Sequence, residues 1–212
     1  MVVLVLVALA AAGYLLGSVP TGFLIGRARG LDLRAAGSGN IGAANALRVL
    51  GKPAGILVLV LDALKGALAC AGLPRLALQI APGLPVGAEA LAMVAGVAAI
   101  LGHNYTCWLR FKGGKGIATS AGVLSVLMPV ALLIALGIWG VVFAISRYVS
   151  LASIAASFGL PGIVWALHGS QAMILIAALL AALALWKHKG NMRRLLDGTE
   201  HRFTRKAAVT RS

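Results

Sequence analysis

Residues 54–73 read AGILVLVLDALKGALACAGL, twenty positions that carry one acid and one base, Asp62 and Lys65. Twenty residues of α-helix rise about 30 Å, the thickness of a bilayer's hydrocarbon core, so this stretch reads as a spanning helix. Asp62 and Lys65 stand one turn apart on the same face and are expected to pair. Each alone would cost about 2.5–3.5 kcal/mol at a helix centre on insertion scales. The pair therefore faces protein or a water-filled cavity, either as a structural ion pair or as part of a site.

Outward from there, apolar runs at 2–25 and 87–104 have the same character. The 212-residue chain is 60% hydrophobic, with 19 Lys and Arg against five acids, well outside the composition of an ordinary soluble domain. From Ala118 to Trp186 the sequence is again mostly apolar, punctuated by Pro129, by Ser146-Arg147-Tyr148 and by His168-Gly169-Ser170-Gln171. Those breaks divide it into four spans. The expected fold is an all-α, polytopic integral membrane bundle of seven transmembrane helices, with five as the alternative.

The first apolar run lacks a basic flank on its N-terminal side, so it reads as a retained helix and not as a signal peptide. Arg27, Arg29, Arg34, Arg48 and Lys52 crowd the loop 26–53, Arg110, Lys112 and Lys115 the segment 105–117, and eight more basic residues follow from Lys187. By the positive-inside rule these segments are cytoplasmic, the N-terminus is outside and the C-terminus inside. Residues 1–200 are expected to be one membrane domain and 201–212 a basic cytoplasmic tail, fraying near anionic lipid. A Cys70–Cys107 disulfide is not expected, since the two fall towards opposite ends of the membrane. No group of residues has metal-site spacing, so no metal is expected.

Three basic segments carry chemistry. Gly37-Ser-Gly-Asn-Ile-Gly-Ala-Ala-Asn-Ala-Leu-Arg48 combines glycines, whose backbone N–H groups can converge on an anion, with neutral donors at Ser38 and Asn40 and the planar fork of Arg48. A flexible connector with a helix cap is its plain reading. In Gly102–Thr119, Lys112 and Lys115 flank Gly113-Gly114 ahead of a helix expected to begin near Ile117, so a helix N-terminus and two ammonium groups can share one anion. It is not a Walker loop, because Gly116 follows Lys115 and a membrane helix precedes it. His103 reads as an interfacial histidine bonded to backbone, and Tyr105, Trp108 and Phe111 as belt aromatics. In Lys187–Glu200, His188, Asn191 and Leu195 share a helical face with Arg194 adjacent; Lys189 and Arg193 read as lipid-facing charge.

Together these segments resemble the bacterial acyl-phosphate:glycerol-3-phosphate acyltransferase family, the PlsY type. The family patterns GSGNxGATNxxR, GHxxPxFLxFKGGKG and RHxxNIxRLxxGxE match in order, and an intramembrane DxxKG matches Asp62 to Gly66. Ala44, Thr106, Lys187 and Met192 depart from the patterns; Thr106, in place of Pro, is expected to leave the path towards Lys112 less rigid.

The resemblance implies transfer of a fatty acyl group from acyl phosphate to the 1-hydroxyl of glycerol 3-phosphate, giving 1-acyl-glycerol 3-phosphate (lysophosphatidic acid) and phosphate, in bacterial phospholipid biosynthesis. It implies an inner-membrane enzyme with its site facing the cytoplasm, with no cofactor and no nucleic acid. Its partners would be acyl phosphate, glycerol 3-phosphate, membrane lipid and the soluble enzyme that makes the acyl phosphate. On that reading Ser38, Arg48, Lys112, His188 and Asn191 are catalytic. Ser38, Asn40, Arg48 and Lys112 would bind the donor's phosphate or the oxyanion, and Lys115 with His188, Asn191 and Arg194 would hold glycerol 3-phosphate. Gly37, Gly39, Asn45, Lys65, Gly113, Gly114 and Glu200 complete the substrate-binding set, with Glu200 orienting a basic residue. The base is His188 or a substrate phosphate oxygen. No residue five positions after a histidine is Asp, so the His-x4-Asp mechanism of other glycerolipid acyltransferases is absent. The rival reading is an organophosphate transporter, which would be expected to show paired repeats with broken helices.

Overall fold

A computed structural model describes residues 1–203 of the chain, and every element among them is helical. Ten α-helices occur in order: α1 (Val2–Ser18), α2 (Thr21–Arg27), α3 (Ala43–Leu50), α4 (Lys52–Ile80), α5 (Ala88–Asn104), α6 (Ile117–Leu127), α7 (Pro129–Ser146), α8 (Val149–Ala166), α9 (Gln171–Lys187) and α10 (Lys189–Leu196). They fall into two compact units, Met1–Leu132 and Leu133–Ser212, each described by itself below.

In the first unit α1, α4, α5 and α6 pack side by side, with α3 laid on the start of α4. Small residues set the closeness of these contacts. Gly13 and Gly17, four apart on α1, meet the backbone of Ala95 and Ala99 on α5, and a Cβ at either glycine would collide with it. Gly66 and Gly122 do the same between α4 and α6, against the carbonyls of Thr119 and Ala63. In hydrocarbon, where apolar surface gains nothing by leaving lipid, such backbone approach is a main source of helix association. Outward faces are apolar and uncovered: Ile56, Leu57, Leu59, Val60, Leu64 and Leu68 of α4 are all exposed.

The expected first span is broken at Val19–Pro20 into α1 and α2, because proline supplies no N–H to continue the ladder. The second runs further than expected, through Pro74 to Ile80. Proline removes only one bond of a long helix, and the apolar residues beyond it continue the stretch. The third matches the expectation to within a residue.

In the second unit α8 packs on α9, and α10 touches both. The breaks anticipated from sequence are there. Arg147 takes a left-handed φ of 64° between α7 and α8, and the Ser146 hydroxyl accepts the Tyr148 N–H at 3.2 Å. After α8, His168 has φ 55° and Ser170 caps α9, its hydroxyl accepting the Met173 N–H at 3.3 Å. Beyond α10 the chain returns to the α7–α8 break, where Phe203 N–H donates to the Arg147 carbonyl at 3.0 Å and Arg202 lies over the Tyr148 ring. Of the basic tail, only 201–203 is described, and those residues are docked and not frayed; from 204 onward it lies outside the described residues.

Among the described residues five helical stretches are long and apolar enough to cross a membrane, and a sixth qualifies if α9 and α10, bent by 56°, are taken together. The remaining apolar helix, α6, has 11 residues, about 16 Å of rise.

Candidate active site

The first segment wraps around one buried amide. Asn45, on the first turn of α3, is 2% exposed. Its Nδ2 donates to the carbonyls of Leu33, Ala36 and Asn40 at 3.0, 3.0 and 2.8 Å, while its Oδ1 accepts the Ser38 N–H at 2.8 Å and Arg48 Nη1 at 3.3 Å. The amide's hydrogen-bonding capacity is thus committed to the loop. Asn45 shapes the loop that presents Gly37, Ser38 and Gly39, all exposed, at its rim. Asn40 turns inward as well, its Oδ1 accepting the Gly42 N–H at 2.9 Å ahead of α3. Before the loop, Asp32 accepts three side-chain bonds and one backbone bond from Arg34, which hold its carboxyl down to about 2.

The second segment folds back on the end of α5. A helix C-terminus leaves carbonyls without intrahelical partners, and here Gly113 N–H donates to Asn104 O at 3.2 Å and Gly114 N–H to His103 O at 3.0 Å. These two N–H groups cap α5. What the turn presents is Lys112, exposed, and Lys115, half-buried, on either side of the glycine pair. Gly116 then takes φ 80°, a left-handed conformation that glycine adopts without strain, to start α6. Thr106 does not loosen this path. Its hydroxyl is buried and donates to the Ser18 carbonyl at 2.5 Å, a hydrogen bond that replaces the rigidity of proline.

Asp62 and Lys65 pair as expected, at 2.8 Å, both almost wholly buried. Lys65 Nζ also donates to the Val19 carbonyl at 2.8 Å, at the α1–α2 break, so two of its three donors are taken within the protein. Thr21 Oγ1 donates to Asp62 Oδ1 at 2.5 Å. His103 is 5% exposed, with Nδ1 3.5 Å from the same Asp62 oxygen. It is a member of a buried charged cluster, which corrects the expectation of an interfacial histidine bonded to backbone. Sequence reasoning missed Thr21 and His103 here because both are far from Asp62 along the chain, and only helix packing joins them.

In the second unit, His188 ends α9 and Asn191 sits in the first turn of α10, both buried. His188 Nδ1 lies 2.8 Å from the Ala184 carbonyl. A carbonyl only accepts, so that nitrogen carries a proton, and in a neutral ring this contact selects the tautomer with its lone pair on Nε2. Glu200 accepts Asn191 Nδ2 at 2.7 Å, Ser150 Oγ at 2.8 Å and Arg194 Nε at 2.8 Å. Burial is the largest influence on its carboxyl and pushes it up, but these donors together with the Arg194 charge outweigh burial and leave it below the ordinary value. Ser150 was not legible as its partner, lying 50 positions away.

The arrangement defines a class: an integral membrane helical protein whose loop regions carry basic, glycine-rich segments suited to phosphate. The glycerol-3-phosphate acyltransferase family model matches residues 7–198, and the chain belongs to that family. A glycerol-3-phosphate acyltransferase of Myxococcus xanthus is 47% identical over 92% of this chain and 98% of its own length. One of Geotalea daltonii is 44% identical over 91% and 94%. A crystal structure of PlsY, an integral membrane glycerol 3-phosphate acyltransferase, in its glycerol 3-phosphate form aligns with TM-score 0.84 at 38% identity, covering 94% of this chain and 96% of that one. The lysophosphatidic acid form aligns with TM-score 0.81 at 37% identity, covering 94% and 95%.

Proposed function

We propose that this chain transfers a fatty acyl group from an acyl phosphate to the 1-hydroxyl of glycerol 3-phosphate, giving 1-acyl-glycerol 3-phosphate and inorganic phosphate. The observation that carries the reading is membership of the acyltransferase family over nearly the whole chain, with all three basic segments present in order. The PlsY structures were solved in forms named for glycerol 3-phosphate and for lysophosphatidic acid, the acceptor and the product of this reaction.

An acyl phosphate is a mixed anhydride with a good leaving group, so the protein's task is to position reactants and neutralise charge. Ser38, Arg48 and Lys112 serve the donor phosphate and the oxyanion, while Lys115, His188, Asn191 and Arg194 serve glycerol 3-phosphate. The acceptor O1 attacks the acyl carbon, the bond from that carbon to the phosphate oxygen breaks, and phosphate leaves with the electron pair. The hydroxyl proton passes to a base. The Nδ1–H to Ala184 contact supports His188 Nε2 in that role; a phosphate oxygen of the donor is the other acceptor of suitable basicity. Asn45 acts by shaping the first loop, and Glu200 by orienting Asn191 and Arg194.

Residues 1–200 work as one acyltransferase domain, a reading supported by the single family model that runs across both compact units. The chain resides in the inner membrane, with the N-terminus outside, the three basic segments and the C-terminus cytoplasmic, and seven crossings. The charge distribution supports that topology. α6, the shortest crossing, packs against α4 and is shielded from lipid by protein on that side. The soluble partner is the enzyme that supplies acyl phosphate.

The test is purified protein with labelled glycerol 3-phosphate and, in turn, acyl phosphate, acyl-CoA and acyl carrier protein. Product from acyl phosphate alone is expected. Product from acyl-CoA or acyl carrier protein at a comparable rate overturns the donor assignment.

A further inference from the structure

One cluster has no part in the mechanism above. Asp62, Lys65, Thr21 and His103 are all buried, and they gather at one carboxylate oxygen between α2, α4 and α5. A buried ion cluster is costly in hydrocarbon, and replacing one by apolar residues is often neutral or stabilising, so fold stability alone is a weak reason for it. Its geometry points to the second segment. On one side the His103 ring faces Asp62, its Nδ1 3.5 Å from Oδ1. On the other side its Nε2 edge lies against Gly114, where a Cβ would collide with it. The His103 carbonyl accepts the Gly114 N–H at 3.0 Å, and the neighbouring Asn104 carbonyl accepts the Gly113 N–H at 3.2 Å. Ring and carbonyl of one residue therefore meet the same turn.

We infer that His103, packed between Asp62 and Gly114, is a positioning residue: it props the Gly113–Gly114 turn against the end of α5 and so fixes where Lys112 and Lys115 stand. The inference rests on the acyltransferase reading. It gives the glycine pair a reason beyond turn flexibility, since only a residue without Cβ lets the turn sit on the ring. Lys65 pairs with Asp62 Oδ1 at 2.8 Å, and Thr21 donates to the same oxygen. Neither touches the turn.

The test is a double-mutant cycle on the purified enzyme with acyl phosphate and glycerol 3-phosphate. His103→Ala is expected to raise KM for glycerol 3-phosphate tenfold or more and to lower kcat as well, because Lys115, assigned to the acceptor, and Lys112, assigned to the donor phosphate and the oxyanion, lose the same prop. Gly114→Ala in the natural background is also expected to raise KM. In the His103→Ala background the added methyl enters the vacated space, so the double variant is no worse than His103→Ala alone. If His103→Ala does not fold, His103→Asn, which keeps a nitrogen towards Asp62, takes its place in the same cycle. Unchanged KM with a lowered melting temperature would mean a purely structural cluster and overturn the inference, as would effects of the two substitutions that simply add. Absence of acyl transfer by the unmodified enzyme would instead strike the acyltransferase reading itself.

Discussion

Asn191 Nδ2 donates to Glu200 Oε1 at 2.7 Å, so a residue of the third basic segment is held by a carboxylate nine positions downstream. The same oxygen accepts Ser150 Oγ from α8, and the other carboxylate oxygen accepts Arg194 Nε. One acid thus ties α10 to α8 and sets the direction of two groups assigned to glycerol 3-phosphate.

Glu200→Ala removes all three bonds. Each lost partner of a charged group costs about 1.5–3 kcal/mol when it stays buried, less where it can rehydrate as Arg194 can. A destabilisation of about 2–3 kcal/mol is expected, seen as a lower melting temperature in detergent, together with a fall in kcat/KM. Glu200→Gln keeps the shape and one acceptor oxygen, so it should lie between the variant and the natural protein on both measures. Equal melting temperatures for all three would remove Glu200 from this role.

The same carboxylate makes stability depend on pH. Its folded value is lowered, since the donors from Asn191, Ser150 and Arg194 outweigh burial. A lowered folded value means the contribution is complete above the unfolded carboxylate range, about 4.3, and is lost as pH falls through the folded value. The difference in melting temperature between the natural protein and Glu200→Gln should therefore be constant from pH 7 to 5 and shrink below about pH 4. A difference that grew on acidification would reverse the sign of the argument.

Arg48 ends the first segment, with Nη1 3.3 Å from Asn45 Oδ1. A charge-assisted contact to phosphate contributes about 1.5–3 kcal/mol, so Arg48→Ala should lower kcat/KM roughly 10- to 150-fold. Arg48→Lys keeps the charge but not the planar fork, and should recover little of that loss. Recovery to near the natural value would show that the charge alone is enough. Lys112→Ala, exposed on the second segment, should act in the same direction without lowering the melting temperature.

Much of this was readable in the chain because the bilayer imposes a one-dimensional rule: apolar runs of helix length, broken where Arg147 and His168 stand. The order of helices follows from that rule. Residue pairs were legible only at helical spacing, as with Asp62 and Lys65 one turn apart. His103, 41 positions from Asp62, and Ser150, 50 from Glu200, meet their partners through packing that no local pattern encodes. Glycine motifs were legible as turns but not in the direction of their N–H groups, since nothing local shows that the open carbonyls of α5 claim those of Gly113 and Gly114. Thr106 misled for a related reason: its side chain replaces, with a bond to Ser18, what proline supplies by its ring.

Asn45 gives the sharpest test of how the first loop is held. Its Nδ2 is surrounded by the carbonyl oxygens of Leu33, Ala36 and Asn40, all within 3.0 Å. Asn45→Asp changes almost no volume but sets a carboxylate oxygen, an acceptor only, against those three acceptors at a site 2% exposed. Asn45→Ala merely removes the donor and leaves a cavity that water can fill, since the carbonyls are polar. Asp should therefore be the more damaging of the two, by about 1–3 kcal/mol, although it is the closer in shape. The loss should appear as faster proteolysis within residues 31–42 and a fall in acyl transfer at least as large as that of Arg48→Ala, because Ser38 loses its place together with Arg48. If Asp were tolerated as well as Ala, the amide could not be what holds Gly37–Gly39 at the rim, and Asn45 would return to the list of residues that meet substrate directly.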